Sequence, residues 1–91
     1  MSNPTKKGFV YFVSNGHYCK IGRTLNIVSR MRSLQTGTAH KLTLVMVLES
    51  SDYMNLEIQL HKLFANYHVS GEWYDILFLF NEEKYAFIHL I

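Results

Sequence analysis

The chain has 91 residues, 48% hydrophobic and 14% aromatic, a formal net charge of +2 and one cysteine. That is enough for a single small domain with a real core, burying about 60–70% of the surface its unfolded form exposes. It excludes an internal disulfide, a zinc finger of ordinary Cys/His spacing and a membrane span, which needs ~20 consecutive apolar residues.

Residues 1–7 are polar, with no apolar signal region, and read as a flexible lead-in to one domain over 8–91. The expectation is a chain of the cytoplasm, with no membrane partner. The small net charge hides an asymmetry. Residues 1–48 carry seven basic side chains (Lys6, Lys7, Lys20, Arg23, Arg30, Arg32 and Lys41) and no acid. Residues 49–91 carry all seven acids against Lys62 and Lys84. A one-sided basic set is the footprint of a phosphate-bearing partner. The bland alternative is that the two halves attract each other.

The run 9–13, aromatic and β-branched, predicts a first strand. Asn15-Gly16 predicts a two-residue type I′ turn, which needs φ > 0 twice. A second strand over 17–22 follows, in a register that sets Tyr11 opposite Lys20 and Phe12 opposite Cys19. Asn26 is an N-cap for a helix over 27–35, with Ile27, Met31 and Leu34 as its apolar stripe. Arg30 falls at the margin of that stripe and Arg32 on its solvent side. Residues 42–48 are apolar at almost every position, the pattern of a central strand covered on both faces.

Ser50-Ser51-Asp52 offers caps for a second helix over 53–67, with Leu56, Leu60, Leu63, Phe64 and Tyr67 turned inward. Tyr53, Glu57 and His61 form an i, i+4, i+8 row on its flank. Ser70-Gly71 marks a turn before Glu72-Trp73-Tyr74. Residues 76–80 suit either strand or helix, and a last helix after Asn81 would contain Tyr85, Ile88 and Ile91. The predicted class is α+β: a small mixed or antiparallel three-stranded sheet, made of the hairpin and a central strand, flanked by helices.

Val10-Tyr11 followed by Lys20-Ile21-Gly22 resembles the paired tripeptides of the GIY-YIG nuclease superfamily. Arg30 and Glu57 stand on the two helices where that superfamily keeps an arginine and a metal-binding glutamate. The chain is most similar to a compact branch found in phages, bacteria and fungi. That branch is marked here by Lys20-Ile21-Gly22-Arg23-Thr24, Glu57 to His61, and Gly71-Glu72-Trp73-Tyr74, within a resemblance covering roughly residues 8–76.

The resemblance implies an endonuclease that hydrolyses nucleic-acid phosphodiesters, DNA first among them, with one Mg2+ or Mn2+ held by Glu57. It also implies Tyr11, Lys20, Arg30 and Glu57 as catalytic residues. Arg30 would contact the scissile phosphate, and either Tyr11 or Lys20 would act on the attacking water. A tyrosine acting as base needs nearby positive charge, which Lys20 would supply. Arg23, Thr24, Arg32, Lys41 and His61 are the expected nucleic-acid contacts. Lys20 stands where the superfamily usually has its second tyrosine. Two other readings follow from the same pattern: a nucleic-acid-binding module without turnover, or a phage-type protein-interaction factor. The apolar segment from Phe78 to Ile91 would then serve as an interface, with a partner or with a second copy.

Taken singly, each residue has a plainer reading. Glu57 and His61 make an ordinary i, i+4 pair, Trp73 a core plug, Cys19 a buried inert thiol, and Glu72 has no assigned role.

Overall fold

The computed structural model describes residues 7–80. The predicted last helix, and all of the lead-in but Lys7, lie outside that range. Five antiparallel strands form one sheet: β1 (Gly8–Ser14), β2 (Cys19–Thr24), β3 (Thr43–Ser50), β4 (His68–Ser70) and β5 (Trp73–Tyr74). Their order is β3-β1-β2-β5-β4. Helix α1 (Ile27–Thr36) joins β2 to β3, and α2 (Tyr53–Leu63) follows β3. The α+β class holds, and the sheet is antiparallel throughout, with two strands more than the three predicted. β4 and β5, three and two residues long, are too short to show a period in sequence.

The apolar run that became β3 is not central; β1 and β2 are the interior strands at the middle of the sheet. β1 pairs with β2 and β3 on either side, and its Val10, Tyr11, Phe12 and Val13 are buried. β3 is an edge, and its Leu44, Met46 and Val47 remain 37–39% exposed. An unbroken apolar run reports only that both faces tolerate apolar residues, and does not distinguish a centre from an edge.

The hairpin register also differs from expectation. Tyr11 lies opposite Gly22, Val13 opposite Lys20 and Ser14 opposite Cys19. The cause is Asn15. Its side-chain oxygen accepts hydrogen bonds from the amides of His17 (2.9 Å) and Tyr18 (2.8 Å), so it occupies the corner before the bend. Gly16 and His17 make the bend, and Gly16 alone of the two has a positive φ, +98°. A type I′ turn on Asn15-Gly16, with φ > 0 at both, therefore does not form. The slip is two residues in total pairing, so every side chain keeps its predicted face. Tyr11 and Lys20 share a face but are diagonal rather than opposed.

On one face Val10, Phe12, Cys19, Ile21, Tyr74 and Ile76 form the core, covered by Leu56, Leu60 and Phe64. Burying each large apolar side chain there contributes roughly 1.5–3 kcal/mol. Helix α2 stops at Leu63, four residues before the predicted end. A 3₁₀ turn, Ala65–Tyr67, leads instead into β4, leaving Leu63 68% exposed. The ambiguous segment after Tyr74 is neither strand nor α-helix but a 3₁₀ turn, Leu77–Phe80. Phe80 and Leu79 pack on the core while Phe78 is half exposed. Among the described residues no helix is long and apolar enough to cross a membrane.

Candidate active site

The site forms along β2, beyond the short stretch that pairs with β5, where side chains from both faces of the sheet come together. Alternation along β2 sends Lys20 and Gly22 to one face and Ile21 and Arg23 to the other. Gly22 faces Tyr11 across the ladder, and a Cβ at Gly22 would overlap the Tyr11 phenol. The missing side chain is what lets the ring cross β2. At the far side Arg30 Nη1 donates to the Tyr11 oxygen at 3.4 Å. Arg30 itself is exposed on α1. That helix is fixed by its cap: Asn26 Oδ1 accepts from the Ser29 amide at 2.9 Å.

On the other face Arg23 Nη1 donates to Glu57 Oε1 at 3.2 Å. Glu57 is the one buried residue of α2, 6% exposed. One turn later His61 sets its Nε2 3.0 Å from the Ile21 carbonyl and 3.7 Å from Glu57 Oε2. Glu72 enters from the β4–β5 turn, where Gly71 takes φ +54°. The Ile21 amide donates to the Glu72 carbonyl at 3.0 Å, and Lys20 Nζ meets Glu72 Oε1 at 3.2 Å. Potential ligand atoms of Glu57, His61 and Glu72 all lie within 4.8 Å of one another. Arg23, Arg30, Glu57 and Glu72 line a cleft of about 240 Å³. A neighbouring cavity of about 380 Å³ shares the two arginines and is bounded by Thr24 and Tyr53.

Burial pushes the Glu57 carboxyl above the ordinary carboxylate range, and the negative charge of Glu72 pushes it further; His61 and Arg23 oppose both. Burial likewise raises the Tyr11 phenol, against the hydrogen bond and charge of Arg30. The expected source of charge beside Tyr11 was Lys20. The structure instead puts Arg30 there and draws the Lys20 ammonium to Glu72, 5.7 Å from the centre of the Trp73 ring.

Of the residues predicted from sequence, Tyr11, Arg23, Arg30, Glu57 and His61 gather around this end of β2, and Lys20 borders it through Glu72. Thr24 is buried, its hydroxyl accepting from the Asn26 amide and donating to the Asn26 carbonyl, both at 3.1 Å, so it braces the entry to α1. Arg32 and Lys41 are exposed and do not line the cleft. Glu72 is the residue that sequence reasoning left without a role. Its signal was its place in the Gly-Glu-Trp-Tyr run, but only the pairing of β5 with β2 brings it to Glu57.

Comparison with curated proteins and with solved structures returns no match. The T5orf172 domain profile matches residues 8–86, a span that takes in every residue of the cleft. The chain belongs to the T5orf172 domain family.

Proposed function

We propose that the protein is a metal-dependent nuclease of the GIY-YIG kind, hydrolysing nucleic-acid phosphodiesters with a single Mg2+ or Mn2+ held through Glu57. The family is consistent with a nuclease-like or nucleic-acid-binding phage domain. The observation that carries the finer reading is the cleft, in which a buried carboxylate faces two arginines. Arginines suit a phosphate; a buried carboxylate among them suits a cation.

The donor set fits such an ion. Glu57 and Glu72 offer hard oxygen ligands, and His61 a third donor within the same 4.8 Å. Glu57 is raised first by burial, and two carboxylates this close repel each other when both are ionised, which raises it further. When bound, a divalent ion would offset that repulsion and stabilise negative charge developing on the phosphate and the leaving oxygen.

The chain's own groups do the rest. Arg30 presents a planar fork to phosphate oxygens at the mouth of the cleft. Arg23 holds Glu57 in place through its 3.2 Å contact and adds positive charge to the same wall. Tyr11 keeps its proton at neutral pH, because burial outweighs Arg30. Its oxygen accepts from Arg30 and the ring is fully buried, so its part is to position the Arg30 fork toward the phosphate rather than to deprotonate the attacking water. Lys20, paired with Glu72, contacts the substrate backbone on the other side.

The test is cleavage of DNA and RNA substrates with Mg2+ or Mn2+, wild type against Glu57→Ala. The variant should lose activity by a factor on the order of 100 or more, with its circular dichroism unchanged. Cleavage that survives in the folded variant would end the metal assignment. One observation favours a second reading, a binding module without turnover: Lys20 stands in the second-tyrosine position and turns to Glu72 instead of Tyr11. Binding that weakens steeply with salt, with no cleavage under any metal, would identify it.

A further inference from the structure

A second cleft, of about 280 Å³, lies across the Lys20–Glu72 ion pair from the first. Trp73 and Lys20 form one wall, Leu34 and Leu42 supply apolar surface, and Ser33 and Thr38 supply hydroxyls. The plain expectation for Trp73 was a core plug. It is only half buried, and it is not among the side chains packed in the core cluster. It lies instead beneath the Lys20 ammonium, facing this cleft.

We propose that this cleft binds one unpaired nucleobase of the substrate strand, next to the phosphate held by Arg30, with Trp73 as its aromatic platform. The inference rests on the nuclease reading, and it adds the substrate class: a single strand, or a strand opened at that nucleotide.

The chemistry of the lining matches a base on each side. A base has a flat π surface, met by the Trp73 ring and two leucines. It has a polar edge, met by hydroxyls that donate or accept and so tolerate any base. Its own phosphate meets a cation, Lys20, at the boundary between the two clefts. Size agrees as well. A volume just under the ~300–1,000 Å³ of sites for drug-sized ligands suits a fragment such as one base. A base stacked and paired inside a duplex presents neither its face nor its full edge, so it must be single stranded or turned out to enter. Adjacent clefts, one with arginines and a carboxylate pair and one with tryptophan, thus divide a nucleotide into phosphate and base.

Trp73 is the chain's single tryptophan, so its emission reports on this cleft alone. The full chain is titrated, with chelator present to prevent turnover, against a labelled single-stranded oligonucleotide and its duplex. A series of the same strand with one abasic position moved along it completes the set. Label anisotropy reads binding, and tryptophan emission reads the cleft. The single strand should quench Trp73, the duplex should quench it less, and one abasic position should restore emission and weaken binding roughly tenfold. Trp73→Ala should weaken single-strand binding by a similar factor, while Trp73→Phe keeps most of it. If Trp73→Ala does not fold, the abasic series decides by itself. Binding with unchanged emission and no sensitive abasic position would overturn the base site and leave the nuclease reading standing. No binding to any nucleic acid would overturn both.

Discussion

The space left by Gly22 is what the Tyr11 ring needs, and it makes the sharpest prediction at the scale of a residue. Gly22 has no positive φ, so its role is steric rather than conformational. Gly22→Ala places a methyl group against the phenol oxygen and the ring carbon that bears it. Overpacking of this kind costs about 1–3 kcal/mol, or a fall in Tm of roughly 5 °C or more for a domain of this size. Displacing the phenol also breaks its contact with Arg30, so cleavage should fall at least tenfold by rate assay. In a Tyr11→Phe background the same substitution should cost less, because one of the overlapping atoms is gone; strict additivity in thermal unfolding would show that the two residues do not collide. Tyr11, Arg30 and Glu57 could be picked out in the sequence only through the family resemblance of the motifs and helices that carry them. Glu72 could not be given a role, because its partner Glu57 lies fifteen positions earlier on another element and only tertiary pairing joins them. The expected Tyr11–Lys20 couple failed for a related reason. Residue types and alternation assigned the shared face, while one side-chain oxygen on Asn15 decided the register.

Among the elements, α1 is the one whose stability and function are most closely tied. None of its residues is fully buried, and Ile27, Met31 and Leu34 give it only a half-buried stripe. Its first turn is therefore held largely by the Asn26 cap and by Thr24, which braces the same residue. The Arg30 amide donates to the Asn26 carbonyl at 3.1 Å, so fraying from the cap reaches the arginine directly. Asn26→Ala should lower stability by about 1 kcal/mol, and Tm by roughly 4–8 °C. With Arg30 holding the phosphate, KM should rise several-fold while kcat changes less. Asn26→Asp, an equally good cap, should keep the Tm; a drop equal to that of the alanine variant would mean that the cap does not set α1. Both helices could be read from period and caps, since a 3.6-residue stripe and an Asn or Asp before it are local facts. β3 was recognisable as a strand but not as an edge. β4 and β5 were invisible, because two or three residues carry no period and owe their conformation to β2.

For the whole molecule, the split between a basic and an acidic half turns out to serve two ends. Lys20 and Arg23 of the first half pair with Glu72 and Glu57 of the second, as the bland reading expected, while Arg30, Arg32 and Lys41 remain exposed. The core between the halves holds a thiol and two phenols, and this sets how the fold responds to alkali. Burial pushes Cys19 from 9.0 up to about 11, and Tyr11 and Tyr74 are raised from 10.0, likewise chiefly by burial. In the unfolded chain Cys19 loses its proton near pH 9.0; in the fold it keeps it to about 11. Across that interval the folded state binds more protons than the unfolded one, so stability falls as pH rises. Two pKa units correspond to about 2–3 kcal/mol, fully present below pH ~9 and gone above pH ~11. Tyr11 and Tyr74 add to the loss in the same direction above pH ~10. Urea unfolding between pH 7 and 11 should thus show little change up to pH ~8.5 and a steep decline beyond. Cys19→Ala should start from lower stability because it opens space in the core, yet decline less between pH 9 and 10. The same slope in that variant as in the wild type would place the alkaline sensitivity on the tyrosines alone, and a flat profile to pH 11 would mean that none of the three groups keeps its proton through burial in this core.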